Sequence, residues 1–484
     1  MPKTVVEAAR EIPVLEEAEV IVAGAGVAGC AAAHAAATAG AKTVLVERNG
    51  CLGGVATASL MANIGNAFLT ADGRQVIHGF AGQLVDRLVS VGAASPRWKH
   101  RDVPGVTIDS ERLKVVLIEM LQAAGVTILT HALGARPIMD GSTVRGLYVE
   151  SKSGRQALLA PAMIDATGEA DLAWQAGAPM KPKFGGSASI LFKLAHVDLD
   201  AFVEFLGRDA EGFPAGRDHV RDYAAFGRNW KQRGILFFPH WGGRHWRFLK
   251  EIVAAGGFQT SVGTATGLDA LGMYAVGDTG FVVVNSNFHT IQEMDIRRIS
   301  AYELHAQKMC YYVADMLKAK VPGFEKSVVA HIGVDLGIRT TRAIEGRCTL
   351  SEQALVGAPG PTYVDDVIGV DPVRTGEDPT NNAGPRQEFF KPYTADIPFG
   401  VMVPLGCHGL LVASAKSVST EPRGLIRGMP QCMICGQAAG VAGALSARGG
   451  VPAGEAPIRQ VQKELLRQGV YLGDQVRLAE LGLA

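Results

Sequence analysis

"VIVAGAGVAGCAAAHAAATAGAKTVLVERNGCLGGVAT", Val20 to Thr57, decides the fold. An apolar run from Glu19 to Ala23 leads into Gly24-Ala-Gly26-Val-Ala-Gly29, an alanine-rich stretch ends at Gly40, and Lys42 to Val46 is a second apolar run. That order predicts strand, turn, helix, strand. In this spacing the first glycine allows a tight turn, the second lets backbone approach a pyrophosphate, and the third lets helix and strand pack closely. N–H groups at the helix start then face the phosphates, favoured by the helix dipole. Glu47 follows the second strand, where an acidic side chain accepts from ribose hydroxyls and repels a 2′-phosphate. A glycine-rich helix start can also be close packing alone, but the flanking strands and Glu47 together favour a dinucleotide.

The glycine pair Gly53-Gly54 in "NGCLGGVAT" narrows the ligand. A nicotinamide dehydrogenase has no special need for it, whereas an extended FAD passes such a loop. Here the chain resembles the FAD-binding superfamily that includes glutathione reductase and the fumarate reductase flavoproteins, and within it the FAD-dependent oxidoreductases. "SERLKVVLIEMLQAAG" (Ser110 to Gly125) looks like the family's second amphipathic helix, leading into a strand from Val126 to Thr130. "AMIDATGEADLA" (Ala162 to Ala173) looks like its ATG motif, and "IPFGVMVPLGCHGLLVASAKSVSTEPRGLIRGMPQCMICGQAAGVAGALSA" like its closing strand and long helix. The likeness extends to "LGIRTTRAIEGRCTLSEQAL" and to the terminal "IRQVQKELLRQGVYL".

The resemblance implies an α/β fold. Residues 1–180 and 330–484 would form a discontinuous Rossmann-like FAD-binding domain with a parallel central sheet and a three-stranded β-meander. Residues 181–329 would be an inserted α+β substrate domain. The cofactor implied is FAD, held by Gly24, Gly26, Gly29, Glu47, Arg48, Gly53, Gly54, Ala56, Thr57, Ala166, Thr167, Gly168, Lys416, Arg427 and Gln437. The last helix would point its N-terminus at the flavin, where negative charge gathers on reduction. Relatives usually read Val-Ala-Gly-Arg at the closing strand. This chain reads Val412-Ala413-Ser414-Ala415-Lys416; either Lys416 replaces the missing positive charge or the local contacts have changed.

Length and composition agree with a two-domain globular enzyme: 484 residues, 48% of them hydrophobic and 19% charged. Forty-seven basic residues balance 47 acidic ones, which removes the broad footprint expected of a nucleic-acid or membrane-surface binder. The uncharged run between Arg427 and Arg448 reads as a buried, closely packed helix rather than a membrane span. The start lacks the charged-then-apolar pattern of a secretory signal, and seven scattered cysteines suit a reducing compartment, so the cytoplasm is the expected address. No metal motif occurs, and no metal is expected.

A second GxGxxG for a nicotinamide nucleotide is missing between Lys181 and Leu336. The electron partner is therefore a substrate at the flavin, a transient NAD(P)H, oxygen or another protein. Flavin hydride transfer needs a proton-handling group and a donor for developing negative charge. Candidates are His240 and His245, which flank Trp241-Gly-Gly-Arg244, with His289, His408 and Arg339. Each also has a structural reading, as a satisfied surface or core histidine or, for Arg339 and Arg342, an inter-domain ion pair. Cys432 and Cys435 form a CxxC at the last helix's start, where the dipole would lower a thiol pKa, though small cysteines also suit a core. The expected activity is hydride exchange between FAD and a small organic substrate, by a dehydrogenase or reductase. A flavin monooxygenase and an electron-relay subunit are the alternatives.

Overall fold

The computed structural model describes residues 3–65, 68–70, 72–96, 98–99, 105–182, 185–208, 227, 230–232, 234–238, 246–357, 360–372 and 394–484. At its centre is a five-stranded sheet in the order Leu410–Val412, Ala162–Asp165, Val20–Ala23, Thr43–Val46, Thr127–Leu129. All of its pairings are parallel. Val20, Ile21, Val22, Val44 and Leu45 are fully buried, as strands covered on both faces must be. The fold class expected from the sequence is the one observed.

Two helices cover this sheet with almost no side-chain bulk between them. Val27–Thr38 and Met429–Gly449 cross so closely that a Cβ on Gly436 would lie 2.1 Å from the carbonyl oxygen of Ala28, and one on Gly440 2.1 Å from that of Ala32. This contact explains the uncharged run: Pro430 to Ala444 is buried throughout. Among the described residues no helix is long and apolar enough to cross a membrane.

The meander Leu133–Asp140, Thr143–Ser151, Gly154–Leu159 is antiparallel, and the N-terminal strand Val14–Glu17 joins it in parallel as a fourth member. The sequence does not announce that added strand, because its residues VLEE are too short and too exposed to leave a pattern.

A second hydrophobic core runs from Ala188 to Ile338. It packs one face of an antiparallel sheet ordered Ile235–Phe238, Gly272–Val276, Val282–Asn285, Phe192–Ala195, Val328–Ile332 against the helix Ile296–Lys320. Asp295 caps that helix, accepting from Arg298 N at 3.0 Å. A smaller sheet, His289–Ile291, Gly186–Ser189, Gly337–Ile338, stands beside it.

Candidate active site

The glycine-rich turn lies at the carboxyl ends of the parallel strands, where open α/β sheets bind ligands. Its three glycines do different work. Gly24 has φ +96°, and a Cβ there would meet Ala166 O at 2.5 Å; a Cβ on Gly29 would meet Gly24 O at 1.8 Å. Both are required by protein packing alone. Gly26 differs, because no atom of the described residues lies within 4 Å of a Cβ built on it. The first bond of the following helix runs from Cys30 N to Gly26 O. The amides of Val27 to Gly29 therefore have no intrahelical acceptor and border that open space.

Gly53-Gly54 closes on the same turn. Gly53 N donates to Ala25 O at 2.8 Å, and a Cβ on Gly54 would lie 2.9 Å from Gly26 Cα. Thr57 folds back to donate to Leu52 O at 2.5 Å, and Ala56 is fully buried beside it. Glu47 accepts from Ala25 N at 2.7 Å and from Asn49 N at 2.8 Å, so one carboxylate fixes the turn and the end of the second strand. Burial pushes its pKa up.

Opposite, the ATG turn is shaped by a residue that the motif reading passed over. Asp165 accepts from Thr167 N and Oγ1 at 3.1 and 2.7 Å, and from Leu172 N and Ala173 N at 2.9 and 3.0 Å. The sequence carries no local signal of this role, because Asp165 caps the helix Asp171–Gln175 from five residues before its N-cap Ala170. Gly168, at φ +95°, would meet Lys416 Cε at 3.1 Å if it carried a Cβ. Lys416 Nζ bonds the Glu169 carboxylate and donates to Ile338 O at 2.9 Å. The half-buried lysine at the closing strand thus ties three segments together.

Arg48 donates from Nη2 to both oxygens of Asp335, at 2.7 and 2.6 Å. Arg342 donates to one oxygen of Asp171 at 2.6 Å and stacks on Trp174, an ion pair that joins two segments of the expected FAD domain rather than that domain to the insert. Burial, with Glu169 and Asp165 nearby, pushes Asp171 up to about 6. Arg427 is half-buried beside Gly424. Gln437, next to the glycine that packs on Ala28, accepts from Phe80 N at 2.9 Å and donates to Gln468 at 3.2 Å.

Strand parity sorts the catalytic candidates. Ala188 pairs with both His289 and Ile338, so these three share a face. That face is the insert's core, which contains Ala188 and Ile338. His289 is fully buried, contacts Thr264 Oγ1 at 3.2 Å, and is lowered to about 4 by burial and then by His305. It packs in the insert's core against the rings of Tyr302 and His305. Arg339, one residue on, projects the other way, toward the side where Gly337 meets Ser59, with its guanidinium 4.8 Å above the Phe288 ring. His408 is exposed and precedes Leu410–Val412, its backbone N–H donating to Ser142 O at 2.9 Å. Because the strands are parallel, it lies at the sheet edge opposite the glycine turns, which corrects its expected place by the flavin. His240 and His245 lie outside the described residues.

Sequence reading also missed Tyr274. It pairs with Val283, packs with Leu60 and Ala62 just beyond the glycine pair, and receives a hydrogen bond from Asn285 Nδ2 at 3.3 Å. A tyrosine in mid-strand carries no signal of its face. Cys432 and Cys435 are free but buried, and burial raises both thiols, overriding the helix dipole.

This geometry defines a class, a dinucleotide-binding α/β protein with a second core closing over the strand ends. Residues 19–465 match the family model "FAD dependent oxidoreductase", and the chain belongs to that family. Its cofactor is FAD. The open space at Gly26, the uncommitted helix amides and the buried Glu47 fit that group. No curated protein sequence matches the chain. Similar solved structures include a geranylgeranyl bacteriochlorophyll reductase-like protein from Thermoplasma acidophilum, with 11% identity, TM-score 0.41, and 94% of this chain and 84% of that one covered. The p-nitrophenol 4-monooxygenase PnpA from Pseudomonas putida DLL-E4 gives 10%, 0.41, 96% and 92%. The flavin-dependent brominase Bmp2 gives 10%, 0.44, 96% and 93%. Similarity at this level says nothing about the reaction.

Proposed function

We propose that this oxidoreductase exchanges a hydride between FAD and a small organic substrate held by the insert, over residues 181–329, against the discontinuous FAD domain. FAD supplies the two-electron chemistry. The observation that carries the reading is the parity of Arg339: the stretch that leaves the insert turns a guanidinium toward the cradle side while His289 of the insert faces inward. Arg339 would hold a carboxylate or stabilise developing negative charge. Tyr274, fixed by Asn285, would hold or move the accompanying proton at its hydroxyl. Leu60 and Ala62 pack with Tyr274 in one buried cluster.

The test is anaerobic. Small alcohols, amines and saturated acids, then NADH and NADPH, are mixed with the holoprotein while flavin absorbance is followed. Bleaching by one of the organic donors supports the reading. Arg339→Gln should then raise KM, and Tyr274→Phe should lower kcat about a hundredfold and alter its pH profile. Bleaching by a nicotinamide alone, followed by oxygen uptake matched to a hydroxylated product, would establish a monooxygenase and sink it.

A further inference from the structure

The segment Gly333 to Arg342 leaves the insert and crosses the whole rim of the cradle. Val334 N donates to Ala58 O at 2.7 Å, and Ser59 Oγ to Asp335 O at 2.7 Å, just after the glycine pair. Asp335 takes both bonds from Arg48, beyond the end of Thr43–Val46. Ile338 O accepts from Lys416, beyond the end of Leu410–Val412. Arg342 pairs with Asp171, beyond the end of Ala162–Asp165. Three strand ends and the glycine-pair loop are thus tied by one short stretch of chain. On its other edge the stretch bonds the insert, Gly333 N to Leu191 O and Arg339 N to Ser187 O, both at 2.9 Å.

From these ties we infer that Gly333 to Arg342 is a cofactor-retaining strap, and that its charged staples set how long FAD stays bound. The rim residues it ties are neighbours of those that form the cradle, so spreading the rim to release FAD requires breaking the same bonds. The Arg48 pair, with side chains 58% and 27% exposed, is the staple water can loosen. The Lys416–Glu169 pair, at 14% and 15%, is the fixed one. Glu303, on the long insert helix, adds a further carboxylate near Arg48 and Asp335. This role concerns the cofactor only and stands whichever reaction the enzyme performs.

The experiment measures FAD release from the holoprotein, as the rise in free-flavin fluorescence after dilution. Asp335→Asn and Arg48→Gln should each speed release about fivefold at low salt, and the swap Arg48→Asp with Asp335→Arg should return the rate to within about twofold of the parent. Raising salt should speed the parent toward the Asp335→Asn rate. Lys416→Met removes a half-buried partner and can cost folding, so the more exposed pair is the one to test. Unchanged release in Asp335→Asn overturns the strap. So does acceleration by Arg48→Gln that the swap fails to reverse, because Arg48 would then act on FAD directly.

Discussion

The two cores of this protein are held together in opposite ways. Around the cradle, Val27–Thr38 meets Met429–Gly449 through Ala28, Ala32, Gly436 and Gly440, backbone against backbone. In the insert, Trp246 is fully buried among the rings of Phe202, Phe205, Phe238 and Phe248, with centroids 5.5 to 6.2 Å away. The first region fixes the position of main-chain atoms, which a phosphate-binding turn needs. The second fills volume. One is intolerant of added atoms and the other of lost ones.

The largest effect is expected from loss. Trp246→Ala should destabilise the protein by about 3–5 kcal/mol in chemical denaturation, and Trp246→Phe should recover more than half of that. Gly440→Ala adds one carbon where Ala32 O stands 2.1 Å away, and should cost about 2–3 kcal/mol with no recovery from serine or any other side chain. If Gly440→Ala proves neutral, the two regions are not built as differently as the comparison holds.

A smaller effect concerns pH. His289 is lowered from 6.5 to about 4 in the folded protein, so between these values the unfolded chain binds the extra proton. Its contribution is present above pH 6.5 and is lost as pH falls toward 4. Asp171 and Asp396, both raised to about 6, act in the other direction over pH 4 to 6, so the informative quantity is a difference between variants. The stability loss between pH 7 and pH 5 should be smaller in His289→Gln than in the parent by about 2 kcal/mol. An unchanged pH dependence would place that imidazole in contact with water.

This contrast also explains what could be read from the sequence. The cradle was legible because backbone requirements write themselves as glycine spacing: Gly24, Gly29, Gly53 and Gly168 stand where positive φ or a near carbonyl demands them. The closing helix was legible for the same reason. Side-chain roles in the insert depend on strand parity, and parity depends on long-range register that no local pattern records. His289 and Arg339 differ in which face their strands turn, and Tyr274 gained its place from Leu60 and Ala62, far away in sequence. His408 was misplaced because a loop before a strand and a loop after it look alike until the strand's direction in the sheet is known.

The central claim is that Gly26 is bare for the cofactor's sake, while Gly24 and Gly29 are bare for the fold's. Gly26 sits at φ −63°, which any residue adopts, and a Cβ there meets no atom of the described residues. The direct measurement is Gly26→Ala, with thermal stability of the FAD-free protein and FAD affinity determined side by side. The expected outcome is an apoprotein melting within about 2 °C of the parent and FAD binding weakened at least about tenfold. Parental FAD affinity, or an apoprotein as damaged as Gly29→Ala, would contradict it.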